Sequence, residues 1–329
     1  MMRAIAIEGF GGPERLQPTD LPQPTPGPGE VLVKVAYAGV NPADWKAREG
    51  KLSRYFEYKF PFVLGFDLSG TVAAVGAGVE GVNPGDAVFG MSKQGQGENG
   101  AYAEYCLAWP AMLAPLPPAM SAAEAAGLPV AGVTAYGGLV DAGALKAGQT
   151  VLINGGAGGV GSLAIQIARA VGARVAVTCG ARNADYVRAL GAERAIDYAN
   201  EDVVAAVRDW TSGAGVDLVL DAVGLDTLLP RATELVKSGG RFVEIETLIS
   251  AASKEQVAAA AARGVTILSN MVAVMRQPEH LAGLAAMCAA GKVRAAPTEA
   301  LPLADAAEAH RRVESGQVRG KIVLEVAAQ

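Results

Sequence analysis

A chain of 329 residues is longer than one hydrophobic core usually serves, so two domains are expected. Half of the residues are apolar, 19% are charged and the net charge is −5, which leaves no basic footprint for nucleic acid or an anionic membrane surface. No apolar run reaches the ~20 residues a membrane helix needs, and three dispersed cysteines (Cys106, Cys179, Cys288) make no disulfide framework, so a cytoplasmic protein is expected.

The opening MMRAIAIEGFGG reads as a strand running into a glycine turn, without the apolar core or cleavage site of a signal peptide. EVLVKVAYAGV (30–40), LSGTVAAVGAGV (68–79) and GDAVFG (85–90) read as further strands, punctuated by TPGPGE and NPGD. Between them AGVNPADWK brings Asn41 and Lys46, followed by the aromatics Trp45, Tyr55, Phe56, Tyr58 and Phe60. These rings make either an apolar wall for a flat substrate, with Trp45 and Tyr58 the candidates, or the outer packing of a small β domain. GMSKQGQGENG (90–100) reads as a flexible loop able to gate a site.

From about residue 120 the rhythm changes. Residues 121–143 look helical in two pieces. TVLING (150–155), RVAVTC (174–179), AIDY, VDLVLDAVG, RFVEIE and VTILSNM (265–271) are short apolar strands separated by helical stretches near 184–191, 201–212, 226–237 and 251–263. That alternation predicts a doubly wound parallel sheet. Helices near 278–290 and 303–315 then lead to the strand KIVLEV. An α/β domain inserted into a β-rich one follows, with the β-rich part at 1–124 and 272–329 and the α/β part at 125–271.

Gly156-Ala157-Gly158-Gly159-Val160-Gly161 fits G-x-G-x-x-G directly after a strand and at the start of a helix, the context a dinucleotide site requires. Glycines let backbone N–H groups approach a pyrophosphate, and the helix N-terminus adds partial positive charge. At the end of the second strand, where a carboxylate would accept from the NAD ribose, the sequence is VAVTCGARNADY. No acid appears before Asp185; Arg182 stands there instead, with Gly180 leaving room beside it. Arg182 is either a partner for the 2′-phosphate of NADP or a solvated arginine, and NADPH is the expected cofactor. Tyr198 faces the adenosine end or packs at a strand edge. Val223, Gly224, Ile245 and Thr247 follow strands at the edge where such sheets bind ligands.

These segments together resemble the medium-chain dehydrogenase/reductase superfamily and, within it, the zinc-free quinone oxidoreductase and ζ-crystallin-like branch. The likeness is carried by AGVNPADWKAREG, PFVLGFDLSGTVAAVGAGV, GDAVFG, GAYAEY, VTAYGGL, INGGAGGVG, LGA, DAVG and GKIVLEV, in family order over nearly the whole chain. The resemblance implies a GroES-like β-rich catalytic domain around a Rossmann domain, with the active site in the cleft between them. It puts Thr134 near the nicotinamide, Lys321 at a basic position close to the cofactor, and a homodimer through the VTILSNM edge strand. Zinc dehydrogenases of the superfamily have ligand residues where this chain has Asn41, Phe66 and, nearby, Val130, and the structural zinc lobe is absent, so no metal is expected. Only Asp67, beside a lost ligand, has a metal-binding side chain.

Without a Lewis acid, hydride transfer is easiest to an acceptor that spreads its own negative charge, such as a quinone or an α,β-unsaturated carbonyl. Asn41 and Lys46 are the candidate donors to that oxyanion. Asn41 has the alternative of capping a local turn, and Lys46 that of a solvated surface lysine. The expected activity is NADPH-dependent reduction of a small planar electrophile. The alternatives are a biosynthetic enoyl reductase and an NADPH-binding structural or regulatory protein.

Overall fold

The computed structural model describes residues 1–224, 227–245, 251–269 and 276–327. It divides into two compact units, one of residues 1–131 with 295–329, the other of residues 132–294.

The first unit is built on a mixed sheet ordered Thr298–Pro302, Lys321–Glu325, Val31–Val40, Asp67–Val75, Ala87–Met91, Leu113–Pro115, with Tyr105–Ala108 also paired to Val31–Val40. A smaller sheet joins Gln17–Leu21, Met2–Ile7 and Phe62–Val63. The long strand Val31–Val40 is almost wholly apolar and lies at the centre, with Val31, Val33, Val35 and Ala38 buried. Two registers matter for the chemistry. Ile322 stands opposite Val40, and Asp67 opposite Gly39, so Lys321 and Asp67 arrive on either side of Asn41. Gly39 is required there, because a Cβ would lie 2.3 Å from the Ala126 carbonyl oxygen and 2.8 Å from Asp67 Cβ.

The loop after Met91 is anchored where a flexible loop was expected. Its first turn, Lys93–Gln96, buries Lys93 in an ion pair with Glu30, and Ser92 Oγ donates to the Gly65 carbonyl at 2.8 Å.

The second unit contains the doubly wound parallel sheet, ordered Arg194–Asp197, Arg174–Cys179, Thr150–Asn154, Val216–Asp221, Val236–Glu244, Thr266–Ser269. Its central strands are hydrophobic on both faces, as a covered parallel sheet demands. Leu152, Ile196, Val219 and Phe242 lie in one buried cluster, each contributing about 1.5–3 kcal/mol by leaving water. The helix Gly159–Val171 packs Leu163, Ile167 and Ala168 inward. The helix Gln277–Ala289, read from sequence with the β-rich part, belongs to this unit, with Leu284 filling the space above Gly132. The sequence also predicts a helix over about 226–237; among the described residues this stretch holds the 3-10 turn Leu229–Arg231 and the four-residue helix Ala232–Leu235, and a strand begins at Val236. Thr266–Ser269 is the sheet's edge strand, and the rest of VTILSNM, Asn270 and Met271, lies outside the described residues.

Candidate active site and nucleotide site

In the second unit the glycine loop connects Asn154 to the helix that starts at Gly159. Gly155 has φ +82°, a conformation only glycine adopts without strain. A Cβ on Gly161 would lie 2.1 Å from the Gly155 carbonyl oxygen, so the helix sits as close to the loop as glycine permits. Gly156 packs on Val177, whereas Gly158 meets nothing nearer than 3.7 Å and faces open space. The first backbone bond of the helix runs from Ser162 N–H to Gly158, and no side chain caps the N-terminus. The N–H groups of Gly159, Val160 and Gly161 are therefore available above that space, and the loop fits a pyrophosphate.

A polar network fixes the loop's base. Thr178 Oγ1 donates to Asn154 Oδ1 at 2.6 Å and accepts the Gly155 N–H at 2.9 Å. Asn154 Nδ2 donates to Asp221 Oδ1 at 2.7 Å, and that oxygen also accepts the Val223 and Gly224 N–H groups. Val223 in turn packs against Gly155, where a Cβ would approach its Cγ2 within 2.8 Å. Gly155 to Val160, Val223 and Gly224 thus form one patch at the C-terminal ends of neighbouring strands. Ile245 joins the same edge, its N–H bonded to the Asp221 carbonyl at 3.2 Å. Thr247 lies outside the described residues.

One strand further out, Cys179 pairs with Asp197, which sets Gly180 beside Tyr198. The Tyr198 hydroxyl lies 3.9 Å from where a Gly180 Cβ would stand; Tyr198 is 61% exposed, and Arg182 is exposed in the turn Ala181–Asn183. Thr134 is half-buried in the helix Pro129–Tyr136.

In the first unit, Asn41 and Lys321 meet. Asn41 is buried at the N-terminus of the helix Pro42–Arg48. Its Nδ2 donates to Asp67 Oδ2 at 2.8 Å, and its Oδ1 accepts from Lys321 Nζ at 2.5 Å. Lys321, fully buried, also donates to the Val40 carbonyl at 3.1 Å. Asp67 Oδ1 accepts the Val130 N–H at 2.8 Å. Asp44 accepts the Asn41 N–H at 2.8 Å and the Phe66 N–H at 3.1 Å. The sequence spacing N-x-x-D at a helix start is a capping signal, and it finds Asp44 in retrospect.

Burial dominates the acid–base behaviour here. It pushes Asp67 up to about 6, against the Lys321 charge and the Asn41 and Val130 hydrogen bonds. It pushes Asp44 up to about 7, helped by the Asp67 charge. Burial also pulls the Lys321 ammonium below the ordinary lysine range, opposed by both carboxylates. The cluster therefore holds charge only because its members hold one another.

Behind Asp44 lies a second network that the sequence did not disclose. Tyr102 is fully buried, with its hydroxyl 3.1 Å from His310 Nε2. His310 Nδ1 faces Arg48, which is itself buried against Glu314 and the Gly11 carbonyl.

Lys46 is buried on the Asn41 helix, where a solvated lysine was the alternative, its Nζ 5.4 Å from the Trp45 ring centroid. Trp45 is half-buried, with Lys51 Nζ 4.7 Å from its ring centroid. Tyr58 packs edge-on against Phe10 and Phe62 at 4.9 and 4.7 Å, and its buried hydroxyl has no partner among the described residues. Burial and the Asp44 charge raise that phenol above its ordinary range. Among the described residues, no group of three His, Cys, Asp or Glu could hold a metal, and no helix is long and apolar enough to cross a membrane.

A mixed sheet carrying a buried Asn–Lys–Asp cluster and a Rossmann unit with a glycine cradle define a pyridine-nucleotide oxidoreductase. Residues 27–118 match the family described as alcohol dehydrogenase GroES-like domain, and residues 190–324 that described as zinc-binding dehydrogenase. A chloroplastic quinone-oxidoreductase, QR1, of Triphysaria versicolor is 34% identical over 99% of this chain and 98% of its own. The structure of the quinone oxidoreductase from Coxiella burnetii superposes with a TM-score of 0.85 at 34% identity, over 99% of each chain. A mycobacterial protein, Rv1454c, whose structure was solved with NADPH, gives 0.84 at 32% over 99% of this chain and all of its own. The chain belongs to the medium-chain dehydrogenase/reductase superfamily, in its zinc-free quinone oxidoreductase branch. It is an enzyme.

Proposed function

We propose that the protein transfers a hydride from NADPH to a quinone or an α,β-unsaturated carbonyl without a metal ion. The observation that carries this reading is the buried Asn41 amide. Where zinc relatives have a ligand, this chain has a neutral donor with one Nδ2 hydrogen bonded to Asp67 and the other without an acceptor among the described residues. A hydrogen-bond donor suffices for an acceptor that delocalises its own charge as a hydroquinone anion or enolate.

In this reading Gly156 to Val160 hold the pyrophosphate, and Arg182 pairs with the 2′-phosphate, with Gly180 and Tyr198 at the adenosine end. Thr134, Val223, Gly224, Ile245 and Thr247 line the nicotinamide side. When bound, the nicotinamide supplies the hydride. Asn41 donates to the oxygen that becomes negative, Lys46 adds positive charge on the same helix, and Trp45 and Tyr58 bound a flat, apolar substrate. The quinone oxidoreductase relatives support the substrate class, and the NADPH-bound mycobacterial relative supports the cofactor. The edge strand Thr266–Ser269 supports a homodimer by edge pairing.

The test is NADPH oxidation against a panel of quinones, alkenals and enones, with NADH run in parallel. Turnover of planar electrophiles with a preference for NADPH is expected. Turnover confined to simple alcohols and aldehydes would reject the proposal.

A further inference from the structure

The Asn41 amide is held at both ends by opposite charges. Lys321 donates to Oδ1 and Asp67 accepts from Nδ2. Turning the amide over would set N–H against an ammonium and a carbonyl oxygen against a carboxylate, so only one orientation is allowed. Both charges are fixed in place. Val40 takes a second hydrogen of Lys321, whose stem packs beneath Gly127, with Cβ and Cγ each 3.3 Å from the Cβ position there. Val130 holds the far oxygen of Asp67. All three side chains are buried, so water does not screen the field along the amide. A cation at the oxygen and an anion at one N–H draw electron density from nitrogen to oxygen, which makes the remaining Nδ2–H a stronger donor.

We infer that Lys321 is a positioning residue: its ammonium orients and polarises Asn41 so that the free Nδ2–H is presented to the oxygen that gains charge. The inference rests on the proposed role of Asn41 and gives Lys321 a task different from contact with the cofactor. The charged groups facing Lys321 are Asp67 from its strand and Asp44 from the Asn41 helix. Because burial lowers the lysine's affinity for its proton, the brace is released on the alkaline side, below the pH at which an ordinary lysine titrates.

The experiment compares wild type with Lys321→Met, Lys321→Arg and Asn41→Ala. The Asn41 side-chain amide resonance, assigned by its loss in Asn41→Ala, is followed by NMR through an alkaline titration. A single step is expected in wild type and none in Lys321→Met or, because a guanidinium keeps its proton throughout the titration, in Lys321→Arg. For quinone reduction, Lys321→Met should lower kcat about tenfold or more while the NADPH Kd changes less than about threefold, as for loss of a transition-state contact. Lys321→Arg, which can still donate to Oδ1, should recover part of the loss and serves if the methionine variant fails to fold. The second substitution should add nothing in an Asn41→Ala background. An Asn41 resonance indifferent to pH and to Lys321→Met overturns the brace whatever the turnover. So does a tenfold weaker NADPH Kd with kcat unchanged. A wild type that binds NADPH and shows the expected titration, yet reduces no member of the panel, rejects the proposed function and leaves the brace standing.

Discussion

His310 Nδ1 lies 3.1 Å from Arg48 Nη1, and because a guanidinium only donates, the imidazole accepts there and carries its proton on Nε2, toward the Tyr102 hydroxyl. Burial and the Arg48 charge hold this histidine down to about 3. In the unfolded chain it titrates near 6.5, so between those values the unfolded state binds a proton that the folded state refuses. Stability from His310 is thus complete above about pH 6.5 and falls as the pH drops toward 3. Asp44 and Asp67 act in the opposite sense: their raised folded values favour the folded state at low pH, and that benefit is lost as pH rises through about 6 to 7. Comparison with His310→Gln isolates the histidine. Wild type should lose about 2 kcal/mol relative to the variant between pH 7.5 and 5, by urea denaturation. Parallel stability curves would mean that the imidazole is not held neutral.

Two alanine substitutions in the glycine loop should fail differently. Gly161→Ala drives a Cβ into the Gly155 carbonyl, and overpacking of this kind costs about 1–3 kcal/mol or more, read as a lower Tm. Gly158→Ala meets no protein atom closer than 3.7 Å, so Tm should hardly move while NADPH binding weakens about tenfold or more. A Gly158→Ala protein with wild-type cofactor affinity would remove the pyrophosphate from this loop.

Arg182→Ala should weaken NADPH far more than NADH. Losing a charge-assisted contact to the 2′-phosphate costs about 1.5–3 kcal/mol, or roughly ten- to hundredfold in Kd. Equal losses for the two nucleotides would reject the phosphate contact.

Dialysis against a strong chelator should leave quinone reduction intact, and added zinc should not raise it. Asn41, Phe66 and Val130 offer no ligand set, and the buried Asp67 already shares its two oxygens between Asn41 and Val130. Activity that falls with metal removal and returns with zinc would overturn the metal-free chemistry.

The parallel sheet was legible because its strands are short, apolar and regularly separated; the glycine loop announced itself by its place between a strand and a helix. Asn41 could be singled out by resemblance, but its partners could not. Lys321 and Asp67 are 280 and 26 residues away, and only the strand registers reveal that they converge. His310 read as one more helical residue, since nothing local says that its helix buries it against Arg48 and Tyr102. The short strands Gln17–Leu21 and Leu113–Pro115 were missed because prolines interrupt them and long-range pairing, not local pattern, forms them. The loop after Met91 misled for a related reason: a glycine-rich composition hides that Lys93 has a buried partner in Glu30.

The strand Lys321–Glu325 sits inside the first unit's sheet, between Thr298–Pro302 and Val31–Val40. During synthesis, Asn41 and Asp67 leave the ribosome long before that strand exists, whereas residues 132–294 emerge as one uninterrupted stretch. The nucleotide unit can therefore complete its fold while the other still has an open sheet edge beside Val31–Val40. Assembly of the Asn41 cluster is delayed until residue 321 arrives, and the buried carboxylate has no ammonium to balance it until then. Released chains truncated between residues 295 and 320 should carry a formed nucleotide unit and an unfinished partner, the form most exposed to strand-pairing errors and proteolysis.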